Sequence, residues 1–153
     1  MTVSADRPTP ANFVLVHGAW HGGWCYGRVA VILRSEGHRV YTPTLTGLAD
    51  RSHLLSADIG LQTHIDDIVN LANWEDLDDI VLCGHSYGGI VITGVVEKLR
   101  ERVKALVYLD SIVPCGNGIV RVSALHDQVA VSVEMSVFHK DARVLCHAGS
   151  KHI

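Results

Sequence analysis

The segment GHSYGG at residues 84–89 is the part of the chain whose residue types and spacing best suit chemistry. It follows an apolar stretch typical of a buried strand and precedes one typical of a helix, a context that supports a Gly-x-Ser-x-Gly nucleophile motif. A turn this tight should strain the backbone at Ser86 and require glycine at Gly84 and Gly88, where side chains would collide. The motif therefore predicts that Ser86 lies at the carboxyl edge of a sheet and attacks a carbonyl carbon.

Attack by Ser86 would produce an anionic tetrahedral intermediate, which needs N–H donors. We expect one donor to be the backbone N–H of Tyr87, because the following helix directs its free N–H groups and positive dipole end at the site. In enzymes with this motif the other donor comes from the loop after the first strand, which here points to the N–H of Ala19. The neighbours of these donors are expected to line the substrate pocket: His17, Gly18, Trp20 and His85.

The same loop has two histidines and two tryptophans with more than one interpretation. His17 and His21 are four residues apart, but they lie in a glycine-rich loop without a completing carboxylate, so no metal site is predicted. For His17, holding the loop by hydrogen bonds is the alternative to lining the pocket. Trp20 and Trp24 could line the pocket or pack, and their apolar character suggests a small, rather hydrophobic ester.

Strand-like and helix-like stretches alternate along the chain. Short apolar runs predict strands over 12–16, 39–41, 79–83 and 103–109. Apolar residues at helical spacing predict helices over 24–36, 61–72 and 90–102. Strands joined by helical crossovers form a mostly parallel sheet with helices on both faces, so the pattern predicts an α/β fold, a three-layer αβα sandwich. The face of the first helix that is expected to be buried comprises Cys25, Val29, Ile32 and Leu33.

Composition and charge restrict the classes of protein that fit. A length of 153 residues with 48% hydrophobic residues suits one domain with a substantial core. A net charge of -3 without long charge runs gives no reason to expect nucleic acid or a membrane as partner. The N-terminus does not read as a signal peptide, and no apolar run reaches the roughly 20 residues that span a bilayer. Four scattered cysteines indicate reduced thiols, so a cytoplasmic protein is expected.

Taken together, the motifs resemble one family. The segments FVLVHGAWHGGW at 13–24, TLTGLADRSHL at 44–54 and GHSYGG at 84–89 are similar to the plant methylesterase and hydroxynitrile lyase branch of the α/β-hydrolase superfamily, and more so to its small bacterial esterases. The resemblance covers residues 12–114. It implies hydrolysis of carboxylic esters by a serine–histidine–aspartate triad, without a cofactor. Lyases of this branch have threonine directly after the first-strand histidine, so Gly18 favours the esterase.

The acid and base of that family have no clear counterpart in this sequence. The resemblance implies a helical cap and two further strands after the fourth, which carry the aspartate and then the histidine, and residues 115–153 do not match that pattern. Asp110 follows the fourth strand and is a candidate acid, although such an aspartate more often caps a turn. The base stays unassigned among the four histidines of residues 115–153, and three further candidate acids lie in the same segment. The histidines are His126, His139, His147 and His152, and the acids are Asp127, Glu134 and Asp141.

These patterns divide the chain into a flexible arm at 1–11, an α/β-hydrolase core at 12–114 and an atypical tail at 115–153 in place of the cap and final strands. Two functions are consistent with that division. One is a serine hydrolase that acts on small carboxylic esters through an acyl-enzyme at Ser86. The other is a truncated member of the fold that is impaired or inactive because its triad is incomplete. A sheet without its last strands would expose an edge, so self-association is expected.

Overall fold

The structure is a computed structural model that describes residues 9–115, 118–121 and 135–136. Its main strands are β1 (Asn12–Val16), β2 (Arg39–Tyr41), β3 (Ile80–His85) and β4 (Val103–Leu109). Its α-helices are α1 (Gly27–Ser35), α2 (Leu61–Trp74) and α3 (Gly88–Leu99). Short 3-10 turns occupy Gly23–Tyr26, Ala49–Leu54 and Arg100–Arg102. The four predicted strands and three predicted helices are therefore confirmed: three strands have the predicted bounds, and the other elements differ by one to three residues at one or both ends.

The central sheet consists of the four main strands, all parallel, in the order β2-β1-β3-β4. Three short strands follow: β5 (Ile112–Cys115), β6 (Gly118–Arg121) and β7 (Met135–Ser136). Strands β5 and β6 form a separate antiparallel hairpin, whereas β7 pairs antiparallel with the outer side of β4. The β4 edge that was expected to be exposed is thus covered at the two residues that pair with β7.

Helices lie on both faces of the sheet, as predicted. Alternate residues of a strand point to opposite faces, so Val14 and Val16 contact one layer and Leu15 contacts the other. The first layer contains α2 and α3, whose buried residues include Ile68 and Val95. The second layer is formed by α1 and the turn before it, which bury Ala30 and Tyr26 against Leu15, Val40 and Cys83. The three-layer αβα architecture is confirmed. Within the described part of the chain, no helix is long and apolar enough to cross a membrane.

The orientation of α1 differs from the prediction. The residues it buries are Ala30 and, just before it, Tyr26, whereas Val29 and Ile32 are 44% and 62% exposed. Cys25 and Leu33 of the predicted face do pack against the core. The prediction was wrong for Val29 and Ile32 for two reasons. A 3-10 turn precedes the helix and changes its phase, and a run of apolar residues from 29 to 33 covers so much of the helix that spacing does not identify the buried side.

The first turn of α3 packs directly on the end of β1, which brings the loop after β1 next to the loop after β3. The approach is so close that a Cβ atom at Gly88 would lie 2.5 Å from the Val16 carbonyl oxygen and 2.9 Å from that of His17. Glycine is therefore required at 88, as expected, and the atoms that require it belong to the end of β1 and to His17.

Replacing Gly88 with alanine should destabilise the protein by roughly 1–3 kcal/mol, because backbone must move to admit the methyl group. The matched control is Gly27→Ala, at a helical glycine with φ of -51° and nothing within 4 Å of the added Cβ. That change should leave stability unaltered or raise it by up to about 1 kcal/mol. Urea unfolding midpoints measure both effects, and equal midpoints for the two variants would contradict the packing described.

Candidate active site

The backbone of Ser86 has the strained conformation that the motif predicts. Its φ angle is +51°, in the left-handed region, at the point where β3 ends and α3 has not yet begun. Its N–H donates to the Leu109 carbonyl oxygen at 3.2 Å. Its own carbonyl oxygen accepts hydrogen bonds from the N–H of Ile112 at 3.2 Å and from the hydroxyl of Ser111 at 2.9 Å. The end of β4 thus holds the turn, and the Ser86 side chain remains partly exposed to solvent.

The turn itself is as tight as expected. A Cβ atom at Gly84 would lie 2.5 Å from the carbonyl oxygen of Gly88, and the Gly89 N–H donates to the Ser86 carbonyl at 3.1 Å. A side chain at 84 would push α3 away from β3 and change the position of the hydroxyl. The expectation that Gly84 is required by collision within the turn is confirmed.

The loop after β1 lies directly beside Ser86. A Cβ atom on buried Gly18 would lie 3.1 Å from Ser86 Cβ and 3.0 Å from His85 Nδ1. A Cβ atom at this position would fit only if these neighbours moved by a few tenths of an ångström. Because Ala19 follows Gly18, its backbone also lies next to the tight turn at residues 84–88, the nucleophile elbow. In the residues described around the site, neither the Ala19 N–H nor the Tyr87 N–H donates a hydrogen bond to a protein acceptor.

His17 holds this loop from beneath. Its side chain is fully buried. Its Nδ1 lies 2.8 Å from the Gly18 carbonyl oxygen and must donate, since a carbonyl can only accept. Its Nε2 then accepts the Leu45 N–H at 3.0 Å, which assigns the neutral Nδ1–H tautomer. The role in holding the loop is confirmed, whereas the side chain cannot line the pocket because no part of it reaches the surface.

The other pocket residues expected from the sequence form the exposed surface around this loop. Trp20 is 93% exposed and Trp24 is 68% exposed, so neither side chain is packed in the core formed by the described residues. His85 is partly exposed, and its ring lies edge-on to that of His21 at 6.1 Å between centroids. No group of three or more histidine, cysteine or acidic side chains suited to a metal ion occurs in the described part of the chain.

Asp110 lies at the same edge of the sheet as Ser86. It directly follows Leu109, whose carbonyl oxygen accepts the Ser86 N–H, and it is exposed with a left-handed φ of +39°. Its position is compatible with the role of triad acid. The remaining candidates fall outside the described residues: His126, Asp127, Glu134, His139, Asp141, His147 and His152.

A buried histidine that sequence reasoning missed anchors the side chain of Tyr87. His64 of α2 lies 2.9 Å from the Thr46 carbonyl oxygen through Nε2, so Nε2 donates and Nδ1 accepts the Tyr87 hydroxyl at 2.8 Å. Thr46 in turn donates to the Asp67 carboxylate from its N–H at 2.7 Å and its hydroxyl at 2.8 Å. Burial raises the pKa of Tyr87. The sequence feature that could have identified this residue is its place on the apolar face of α2, beside Ile65 and four residues before Ile68.

Cys83 is close to the nucleophile in sequence but is not a competing one. It is buried beneath the sheet edge, and burial raises the pKa of its thiol to about 12. Burial also raises the pKa of Cys25, the other cysteine whose side chain is described. Both thiols are free and remain protonated near neutral pH, which leaves the Ser86 hydroxyl as the nucleophile that the geometry favours.

The buried state of His17 makes stability depend on pH. Burial lowers the pKa of His17 below its ordinary value of 6.5, so the unfolded chain binds more protons than the folded chain just below that pH. The contribution of neutral His17 to the free energy of unfolding should therefore be fully present above about pH 6.5. It should fall as the pH decreases, by up to about 1.4 kcal/mol per pH unit. Urea midpoints at several pH values measure this slope. The slope should be smaller in His17→Gln and unchanged in the control His53→Gln, where the histidine is exposed. The same slope in both variants would contradict the assignment of this pH dependence to His17.

Comparison with known proteins agrees with this geometry. The family model described as "Alpha/beta hydrolase family" matches residues 13–148. A carbendazim hydrolyzing esterase of Nocardioides sp. (strain SG-4G) is 57% identical over 104 residues, which cover 68% of this chain and 43% of that protein. Methylesterase 1 of Arabidopsis thaliana is 31% identical over 112 residues, or 72% of this chain and 43% of that protein.

A solved structure of an extracellular alpha/beta-hydrolase from a Paenibacillus species superposes with a TM-score of 0.64 at 33% identity. The match covers 69% of this chain and 43% of that one. The chain thus spans less than half the length of these relatives. Because the family match extends over most of its residues and agrees with the sheet order and the elbow, the chain belongs to the α/β-hydrolase family.

Proposed function

We propose that the chain is a serine hydrolase that acts on small carboxylic esters through an acyl-enzyme at Ser86. The observation that supports this most directly is the elbow itself. Ser86, a partly exposed residue with left-handed backbone, lies between β3 and α3, and the loop after β1 lies against it. Strain of this kind persists where the surroundings impose it, and it is concentrated at functional sites.

In the proposed reaction the Ser86 oxygen attacks the ester carbonyl carbon while its proton passes to a histidine base. The N–H groups of Ala19 and Tyr87 stabilise the oxyanion that forms, and each such donor typically contributes about 10²–10³ in kcat. The intermediate then collapses and the alcohol leaves with the proton from the base. Water attacks the acyl-enzyme by the same sequence, which releases the carboxylic acid and restores the hydroxyl of Ser86.

Asp110 is the acid that we propose to test first, because it stands at the end of the strand next to β3. Asparagine tolerates left-handed backbone, so Asp110→Asn should keep the fold while removing the charge. If Asp110 orients the base, kcat should fall by roughly 10³–10⁴. An unchanged kcat would assign the acid to Asp127, Glu134 or Asp141, and substitution of each of the four tail histidines by glutamine would then identify the base in the same assay.

The substrate class follows from relatives. The 57% identical relative is named a carbendazim hydrolyzing esterase, and another relative is named a methylesterase. We therefore propose carbendazim and p-nitrophenyl acetate as first substrates. The resemblance gives no role to a cofactor. Self-association through the sheet edge and a cytoplasmic location stay predictions, and the elution volume in size-exclusion chromatography tests the former.

Substitution at Ser86 separates catalysis from stability. Both Ser86→Ala and Ser86→Gly should lower the rate of p-nitrophenyl ester hydrolysis by at least about 10³, because both lack the nucleophile. Glycine accepts the φ of +51° without strain, so Ser86→Gly should also be more stable than Ser86→Ala by about 1 kcal/mol. Steady-state rates and urea midpoints measure the two effects.

A fluorophosphonate probe provides the control, since it should add one covalent label to the wild type and none to either variant. Hydrolysis that survives in Ser86→Ala would contradict the proposal. A folded wild type that neither hydrolyses esters nor reacts with the probe would instead support a catalytically inactive chain.

A further inference from the structure

The tip of the loop after β1 is a tight turn with an unexpected residue in it. The His21 N–H donates to the Gly18 carbonyl oxygen at 3.3 Å, which closes a four-residue turn over 18–21. Trp20 is the third residue of that turn and has a φ of +61°. This position with positive φ is typical of a type II turn and strongly favours glycine. A bulky aromatic residue here is strained, and its side chain gains nothing from burial because it is 93% exposed.

The side chain of His21 holds this turn in place. Its Nδ1 lies 3.0 Å from the Ala19 carbonyl oxygen and must donate to it. The peptide between Ala19 and Trp20 is therefore fixed by a side chain as well as by the turn. Because the tip is held, the backbone of Trp20 has a defined position in the loop that lies beside Ser86.

A continuous aromatic surface extends from this turn to the nucleophile. The His21 ring is tilted by 34° to the Trp24 ring at 6.0 Å and lies edge-on to the His85 ring at 6.1 Å. Trp24 is held against Gly22, where an added Cβ would lie 2.9 Å from Trp24 Cδ1. His85 directly precedes Ser86. The rings of Trp24, His21 and His85 thus form a connected row that ends at the residue before Ser86, outside the hydrophobic core.

We propose that Trp20, His21 and Trp24 form a subsite that binds a planar aromatic group of the substrate by ring stacking. Backbone strain such as that at Trp20 is concentrated at functional sites, and the exposed side chain is free to contact a ligand. Flat apolar rings select flat apolar partners through offset and edge-to-face contacts. The inference rests on the proposed function, since the group bound would be part of the ester that Ser86 attacks.

Benzyl acetate and cyclohexylmethyl acetate provide a matched pair of substrates, because their alcohols are similar in size and leaving ability but only one is planar. The wild type should show the higher kcat/KM for benzyl acetate. Trp20→Leu and Trp24→Leu should each lower the benzyl-to-cyclohexylmethyl ratio about tenfold. Trp74→Leu is the control, at a tryptophan that is 88% exposed at the far end of α2, and it should keep the wild-type ratio.

A binding measurement distinguishes failure of the subsite from failure of the proposed function. Binding of benzyl acetate to Ser86→Ala, which cannot turn over ester, is measured by isothermal titration calorimetry. Binding that is weakened when Trp20→Leu or Trp24→Leu is added to Ser86→Ala, and kept when Trp74→Leu is added, would support the subsite even if no esterase activity were found. An active enzyme whose substrate ratio is the same in the wild type and in both tryptophan variants would overturn the subsite and leave the esterase proposal intact.

Discussion

The left-handed backbone of Ser86 depends on the parallel pairing of β3 with β4. A residue of this kind costs about 1–3 kcal/mol and persists only where its surroundings impose it. Here the Leu109 carbonyl takes the Ser86 N–H, while the Ile112 N–H and the buried Ser111 hydroxyl both donate to the Ser86 carbonyl. All three partners belong to the last residue of β4 or to the segment that directly follows it. The register of the two strands therefore determines where the hydroxyl stands.

The same constraint accounts for the glycines around the site. Once Ser86 is fixed at the end of β3, α3 must begin immediately, and its first turn has to pass between β3 and the end of β1. Gly84 and Gly88 admit that close passage, since a Cβ atom on either would lie 2.5 Å from a backbone oxygen. Gly18 extends the contact to the next loop. The requirements at Gly84 and Gly88 thus follow from packing of backbone against backbone, whereas Gly18 lies close to side-chain atoms of His85 and Ser86.

A physical reason separates the features that the sequence could predict from those that it could not. Strands buried on both faces produce continuous apolar runs, so β1, in which Val14, Leu15 and Val16 are all buried, could be predicted at 12–16 and is found there. The strain at Ser86 is a local property of a tight turn and was also predictable. The buried face of α1 was not, because a 3-10 turn altered its phase. The partners of His64 were not either, since Thr46 and Tyr87 are 18 and 23 residues away in the chain and only packing brings them together.

In the loop after β1, two histidine side chains hold the backbone that carries the proposed oxyanion donor. His17 and His21 both donate from Nδ1 to a carbonyl oxygen of this loop, one from the core and one from the solvent side. The buried ring also accepts the Leu45 N–H, so it ties the base of the loop to the segment after β2. Two carbonyl groups are therefore satisfied, while the proposed donor N–H of Ala19 is left available. A donor held in this way needs no rearrangement when charge develops, and that preorganisation is what gives electrostatic stabilisation its effect in catalysis.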